Sequence, residues 1–108
     1  MTPIVSVYVT FPSAADAETI GSAMVEAGLA ACVNILARCR SVYRWQGRIE
    51  AAEEVPAIFK TTEERAERLI AAIAEAHPYE VPAITAWPVG QALGTYADWV
   101  RQETDERA

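Results

Sequence analysis

Ser41-Val42-Tyr43-Arg44-Trp45-Gln46-Gly47-Arg48 decides how this chain folds. The residues before the Gln-Gly pair are β-branched, aromatic or long, as strand residues are. Gln46-Gly47 suits a two-residue hairpin turn, because glycine adopts positive φ without a steric cost. Strand-like sequence runs back from Trp45 to Ala31 and forward from Arg48 to about Lys60. A turn at Gln46-Gly47 sets Arg40 opposite Glu53 and Tyr43 opposite Glu50. Opposite charges facing across a ladder contribute roughly 0.2–1 kcal/mol. Arg38, Arg40 and Arg44 share a face of an undistorted strand, since side chains alternate. Pro56 interrupts the second strand and fits an edge or a bulge. One strand from Ala31 to Trp45 would be about 45 Å long at roughly 3.3 Å per residue. A domain of this size has a radius of gyration of only about 13 Å. The hairpin therefore overhangs its own core. Tyr43 and Trp45 at its tip each forfeit roughly 1.5–3 kcal/mol if left in water.

The flanking sequence supplies the rest of one domain, residues 1–108. Ile4 to Phe11 is β-branched and aromatic between Pro3 and Pro12, and reads as a buried strand. Ser13 fits a helix N-cap, Ala17, Ile20, Met24 and Val25 recur at helical spacing, and Gly28 fits the left-handed stop. Thr61-x-x-Glu64 has the form of a capping box. Ala66, Leu69, Ile70, Ile73, Ala74 and His77 share the face of the helix that follows, which Pro78 ends. Ala83 to Trp87 reads as a short strand, and Tyr96, Trp99 and Val100 mark a last helix before a frayed tail at Asp105–Ala108. The order is β-α-β-β-α-β-α: an α+β, ferredoxin-like antiparallel sheet, a long hairpin between its second and third strands, and an extra C-terminal helix.

Composition narrows the function classes. The 108 residues are 52% hydrophobic and 22% charged, the balance of a folded domain. The net charge of -6 opposes a nucleic-acid or anionic-membrane partner. It arises in the second half, while Arg38, Arg40, Arg44 and Arg48 collect on the hairpin. Two cysteines exclude a disulfide scaffold or a four-cysteine zinc module, and one histidine excludes a multi-histidine site within one chain. Met1-Thr2-Pro3-Ile4 lacks the basic start of a signal peptide, so a cytoplasmic protein is expected.

The residues able to carry chemistry are few. Gly-x-Ser-x-Gly, Gly-x-x-x-x-Gly-Lys and His-Glu-x-x-His motifs are absent, and no enzyme is expected. An acylphosphatase on this fold needs an arginine in the loop after the first strand, which here is Phe11-Pro12-Ser13-Ala14. His77 admits two roles: a helix C-cap, or an imidazole ligand to copper or zinc with Glu80 close by. Cys32, in Ala30-Ala31-Cys32-Val33, is a small buried hydrophobe or a thiol ligand from a second element. Cys39 lies between two arginines, which would lower its pKa if it is exposed. Glu53-Glu54 and Glu63-Glu64-Glu67 fit solvated faces. Arg38, Arg40 and Lys60 could line a cleft for a small anion, since guanidinium forks suit phosphate and carboxylate.

Taken in order, Ala30-Ala31-Cys32-Val33-Asn34-Ile35, Ser41-Val42-Tyr43-Arg44-Trp45-Gln46-Gly47, Glu53-Glu54, Lys60-Thr61-Thr62, His77-Pro78-Tyr79-Glu80-Val81-Pro82 and Tyr96-x-x-Trp99 resemble the CutA family, the divalent-cation tolerance proteins. The resemblance covers Ser6 to Val100. It implies a tight homotrimer whose hairpins pack on neighbouring subunits, with Tyr43, Trp45, Arg40, Arg44 and Trp99 at the interface. It also implies weak binding of Cu(II) or another divalent ion at His77, and kinship with the P-II signalling trimers. Ala76 stands where some members carry a second histidine, which weakens that metal site, and Val55-Pro56-Ala57 replaces a proline-free run. Two functions follow: a trimeric metal-tolerance protein built around His77, Glu80 and Cys32, or a P-II-like sensor binding an anion between subunits.

Overall fold

The structure, a computed structural model, describes residues 2–105. The order of elements is β1 (Ile4–Phe11), α1 (Ala14–Glu26), β2 (Cys32–Ile35), β3 (Cys39–Trp45), β4 (Arg48–Thr62), α2 (Glu63–Ala76), β5 (Ile84–Pro88) and α3 (Gly94–Glu103). The sheet runs β2-β4-β1-β5, with β3 pairing to the outer half of β4, and every pairing is antiparallel. This is the expected ferredoxin-like arrangement with its additional helix. The frayed tail expected at Asp105–Ala108 lies outside the described residues except for Asp105, whose carboxylate stands 3.8 Å from Arg65.

Alternation along β1 divides the sheet. Val5, Val7, Val9 and Phe11 pack with Val55, Ala57 and Phe59 against Ala17, Ile20 and Met24 of α1 and Leu69 and Ile73 of α2. The other face is covered only in part, by α3, where Ala97 and Val100 meet Ile4 and Ala31. Tyr8 and the exposed Trp87 lie tilted together on this second face, their centroids 5.8 Å apart.

Local sequence sets the element ends. The Ser13 hydroxyl accepts from the Asp16 N–H at 3.1 Å and starts α1, and Gly28, at φ 76, stops it. The second cap differs from the expected one by a residue. Thr62 accepts from the Arg65 N–H at 3.3 Å, whereas Thr61 points into the core and donates to the Leu29 carbonyl at 2.7 Å. Strand alternation decides this, because Thr61 shares the buried face with Phe59.

The hairpin turn and outer register are as read from the sequence. Gln46 and Gly47 have φ of 50 and 80, Arg40 faces Glu53, and Tyr43 faces Glu50. The single strand from Ala31 to Trp45 is not formed; it breaks into β2 and β3. Ile35 pairs with Ala57 and Cys39 with Glu54, so three residues oppose two, which is a bulge. Pro56 is the physical reason. Its carbonyl accepts from the Leu36 N–H at 2.9 Å, and its nitrogen, with no proton to give, faces the same irregular side. β4 nevertheless continues unbroken for 15 residues and sets the longest dimension, 45 Å. The radius of gyration is 14.3 Å, above the roughly 13 Å of a compact chain of this length, because the hairpin projects.

Candidate functional site

A groove with a cavity volume of about 780 Å³ opens where the hairpin leaves the body of the sheet. One wall is the hairpin face bearing Ser41, Tyr43, Trp45, Glu50 and Glu54, and the other is the segment from Pro78 to Ala83. The register explains the first wall. Tyr43 faces Glu50, so odd residues of β3 and even residues of β4 share a side. The second wall follows from the end of α2, where Pro78 cannot continue the helix and turns the chain back over the hairpin root.

His77 fixes that turn. It is 7% exposed, and its ring stacks on Phe11 with centroids 4.9 Å apart. Nε2 lies 2.8 Å from the Thr10 carbonyl oxygen, and Nδ1 accepts the Tyr79 N–H at 3.1 Å. A carbonyl only accepts and an amide N–H only donates, so these partners select the neutral tautomer protonated at Nε2. Both ring nitrogens are used, and neither offers a lone pair to an ion. Tyr79, positioned by this bond, donates its hydroxyl to Glu54 Oε2 at 2.9 Å. Burial, then the Glu54 carboxylate, push the Tyr79 phenol up to about 12, so it stays a donor.

The expected metal residues are not brought together. His77 sits beside Thr10, and Glu80 is exposed on the groove wall. Cys32 is on β2 opposite Lys60, its Sγ 3.6 Å from the Tyr96 hydroxyl, which burial and this contact push up to about 12. Among the described residues no three His, Cys, Asp or Glu side chains converge to hold an ion. The expected anion residues are also apart. Arg38, in the break between β2 and β3, pairs with Glu53 at 3.3 Å with both side chains mostly exposed, a contact of at most about 1 kcal/mol. Arg40 is on the hairpin face away from the groove, and Lys60 pairs with Ser6 in the body of the sheet. Cys39 contacts Ser41 at 3.8 Å.

Of the residues expected at a subunit interface, Tyr43 and Trp45 line the groove. Arg40 and Arg44 flank the exposed Val42 on the opposite hairpin face, and Trp99 stacks on Tyr96 with centroids 5.8 Å apart. Glu54 is the residue the sequence reading misplaced. It is 8% exposed rather than solvated, while Glu53 is the solvated one. Its register with Cys39, on the Tyr43 side, was the available signal. The fold of 78–83 over that side was not legible.

These features define a ferredoxin-like α+β chain with a projecting hairpin and an acidic, aromatic groove at its root. Residues 5–103 match the CutA1 divalent ion tolerance protein family, and the chain belongs to it. It is 42% identical over 98 residues to the divalent-cation tolerance protein CutA of Thermus thermophilus, covering 91% of this chain and 95% of that one. It is 41% identical over 98 residues to human Protein CutA, covering 91% of this chain and 55% of that protein, so it spans about half the human length. Among solved structures, CutA1 from Oryza sativa superposes with a TM-score of 0.93 at 32% identity, covering 98% and 97% of the two chains. The Thermus thermophilus Cut A1 structure gives 0.91 at 40% identity, covering 94% of this chain and 99% of that one.

Proposed function

We propose that the chain serves divalent-cation tolerance as a cytoplasmic homotrimer that binds rather than catalyses, and that it engages divalent ions weakly at carboxylates between subunits. The observation carrying the cation reading is the charge of the groove. Among the described residues, Glu50, Glu54 and Glu80 line it and no lysine or arginine does. Such a surface attracts cations and repels phosphate or carboxylate, which disfavours the P-II-like anion sensor. The projecting hairpin supports the trimer: Val42 is 67% and Ile49 62% exposed, beside Tyr43 and Trp45. A neighbouring subunit covering them recovers burial of roughly 1.5–3 kcal/mol per side chain.

With the imidazole occupied, oxygen ligands such as Glu80 are the available donors, and a partly exposed carboxylate binds an ion weakly. Calorimetric titration of Cu(II) and Zn(II) against the wild type, Glu80→Gln and His77→Gln tests this. Loss of binding in Glu80→Gln, with retention in His77→Gln, is expected. Loss confined to the histidine variant would return the site to imidazole.

A further inference from the structure

We propose that His77 is a proton-operated latch: a second proton on its ring releases residues 78–83, the segment that leads from α2 to β5. The latch needs neither a metal ion nor a neighbouring subunit.

The segment has few other fastenings. At one end the His77 N–H is anchored on the Ile73 carbonyl at 2.9 Å, and at the other Ile84 pairs with Val9. Between them Pro78 and Pro82 have no N–H to give. Among the described residues no backbone-to-backbone hydrogen bond holds 78–83. Two bonds pin it instead, both through Tyr79: its N–H to Nδ1 of His77, and its hydroxyl to Glu54.

The first of these bonds requires an imidazole with one proton. Nε2 uses that proton on the Thr10 carbonyl at 2.8 Å, which leaves the Nδ1 lone pair to accept the Tyr79 N–H. Both nitrogens of an imidazolium are donors. A second proton therefore sets N–H against N–H at a separation of 3.1 Å, on a ring that is stacked on Phe11 and buried. The ring cannot turn to spare this contact without giving up Thr10, so the Tyr79 amide leaves and carries its side chain with it. The closed segment holds one proton on the ring and the open one holds two, so acid favours the open form. Imidazole is the side chain that ordinarily changes charge between roughly pH 5 and 8.

The charged and titratable groups around the latch are these. From β1 come Thr10 and Phe11, which do not titrate. Glu54 of β4, Tyr43 of β3 and Asp16 of α1 lie close enough to act on the Tyr79 phenol. Glu80 follows Tyr79 in sequence, and the exposed Glu75 stands near the end of α2. Of these only Glu54 is bonded to the segment, so it is the competing site for a loosening proton.

The chain has one histidine, so labelling histidine with nitrogen-15 gives a single imidazole whose tautomer and charge are read directly by NMR. Protection of the Tyr79 amide against hydrogen exchange, corrected for the intrinsic rate, is followed on the same protein from about pH 8 to about pH 5. At the upper end the ring is expected to carry its proton on Nε2. On acidification Tyr79 loses protection about tenfold in step with the second proton, while the amides of β1 keep theirs. Glu54→Gln, nearly isosteric and still able to accept from Tyr79, keeps this step. His77→Gln takes no proton in this range and shows level protection without a step. A ring that stays neutral at every pH where β1 is protected would overturn the proposal. So would a doubly protonated ring with Tyr79 protection unchanged, or a step that persists in His77→Gln. A step lost in Glu54→Gln would assign the proton to the carboxylate and overturn it as well.

Discussion

Replacing His77 by alanine probes whether the ring is a scaffold or a ligand. The substitution strands the Thr10 carbonyl and the Tyr79 N–H, now satisfied at 2.8 and 3.1 Å. A buried polar group left without its partner costs roughly 1–3 kcal/mol, and the half-buried Tyr79 amide belongs at the low end. The lost ring contacts, stacked on Phe11 and tilted against Tyr79 at centroid distances of 4.9 and 4.8 Å, add roughly 0.5–1.5 kcal/mol. The expected loss is about 3–4 kcal/mol, without any metal present. His77→Gln restores a donor toward Thr10 but not the acceptor for Tyr79, so it recovers about half. Urea denaturation in chelator, at one fixed protein concentration so that any association of copies affects all samples alike, measures both. If both variants stay within about 0.5 kcal/mol of wild type, the ring is not structural and the reasoning fails.

Three further outcomes follow from the same geometry. Tyr79 and Tyr96 are both raised from 10.0 to about 12 in the folded chain. Their stabilisation is complete below pH 10 and is lost as pH rises towards 12, because the unfolded chain releases protons that the fold retains. The double variant Tyr79→Phe, Tyr96→Phe flattens that decline in denaturation midpoints. Gln46 holds φ of 50, a conformation asparagine tolerates better before glycine, so Gln46→Asn raises stability by about 0.5 kcal/mol in urea titrations. A methyl at Gly21 would stand 3.0 Å from Val33 Cγ1, so Gly21→Ala lowers the thermal midpoint: overpacking of roughly 1–3 kcal/mol exceeds the helix gain of about 1.

The legible part of the fold was what local rules determine. Ser13 and Gly28 bracket α1, and Gln46-Gly47 turns the hairpin and thereby pairs Arg40 with Glu53 and Tyr43 with Glu50. What local rules leave open was misread. The bulge opposite Pro56 could be suspected from the proline, but its breaking of residues 31–45 into two strands depends on how both ladders meet. The choice of Thr62 over Thr61 as cap depends on which face of β4 is buried. The site was hardest, because it joins segments distant in sequence. Glu54 resembled its neighbour Glu53 until 78–83 folded over one and not the other. His77 stood out in the sequence as a metal ligand or a helix C-cap, but its ring contacts are to Thr10 and the Tyr79 backbone, which carry no compositional mark.

The central claim is that the projecting hairpin is a contact between copies of this chain. Light scattering of the purified wild type, beside the double variant Val42→Asp, Ile49→Asp, tests it most directly. Both substituted positions are more than 60% exposed in one chain, so the changes leave its own core intact. The account predicts a wild-type mass three times the 11.8 kDa of the chain and a variant that falls to the mass of one. A wild type of single-chain mass, or a variant that keeps the full assembly, would contradict it.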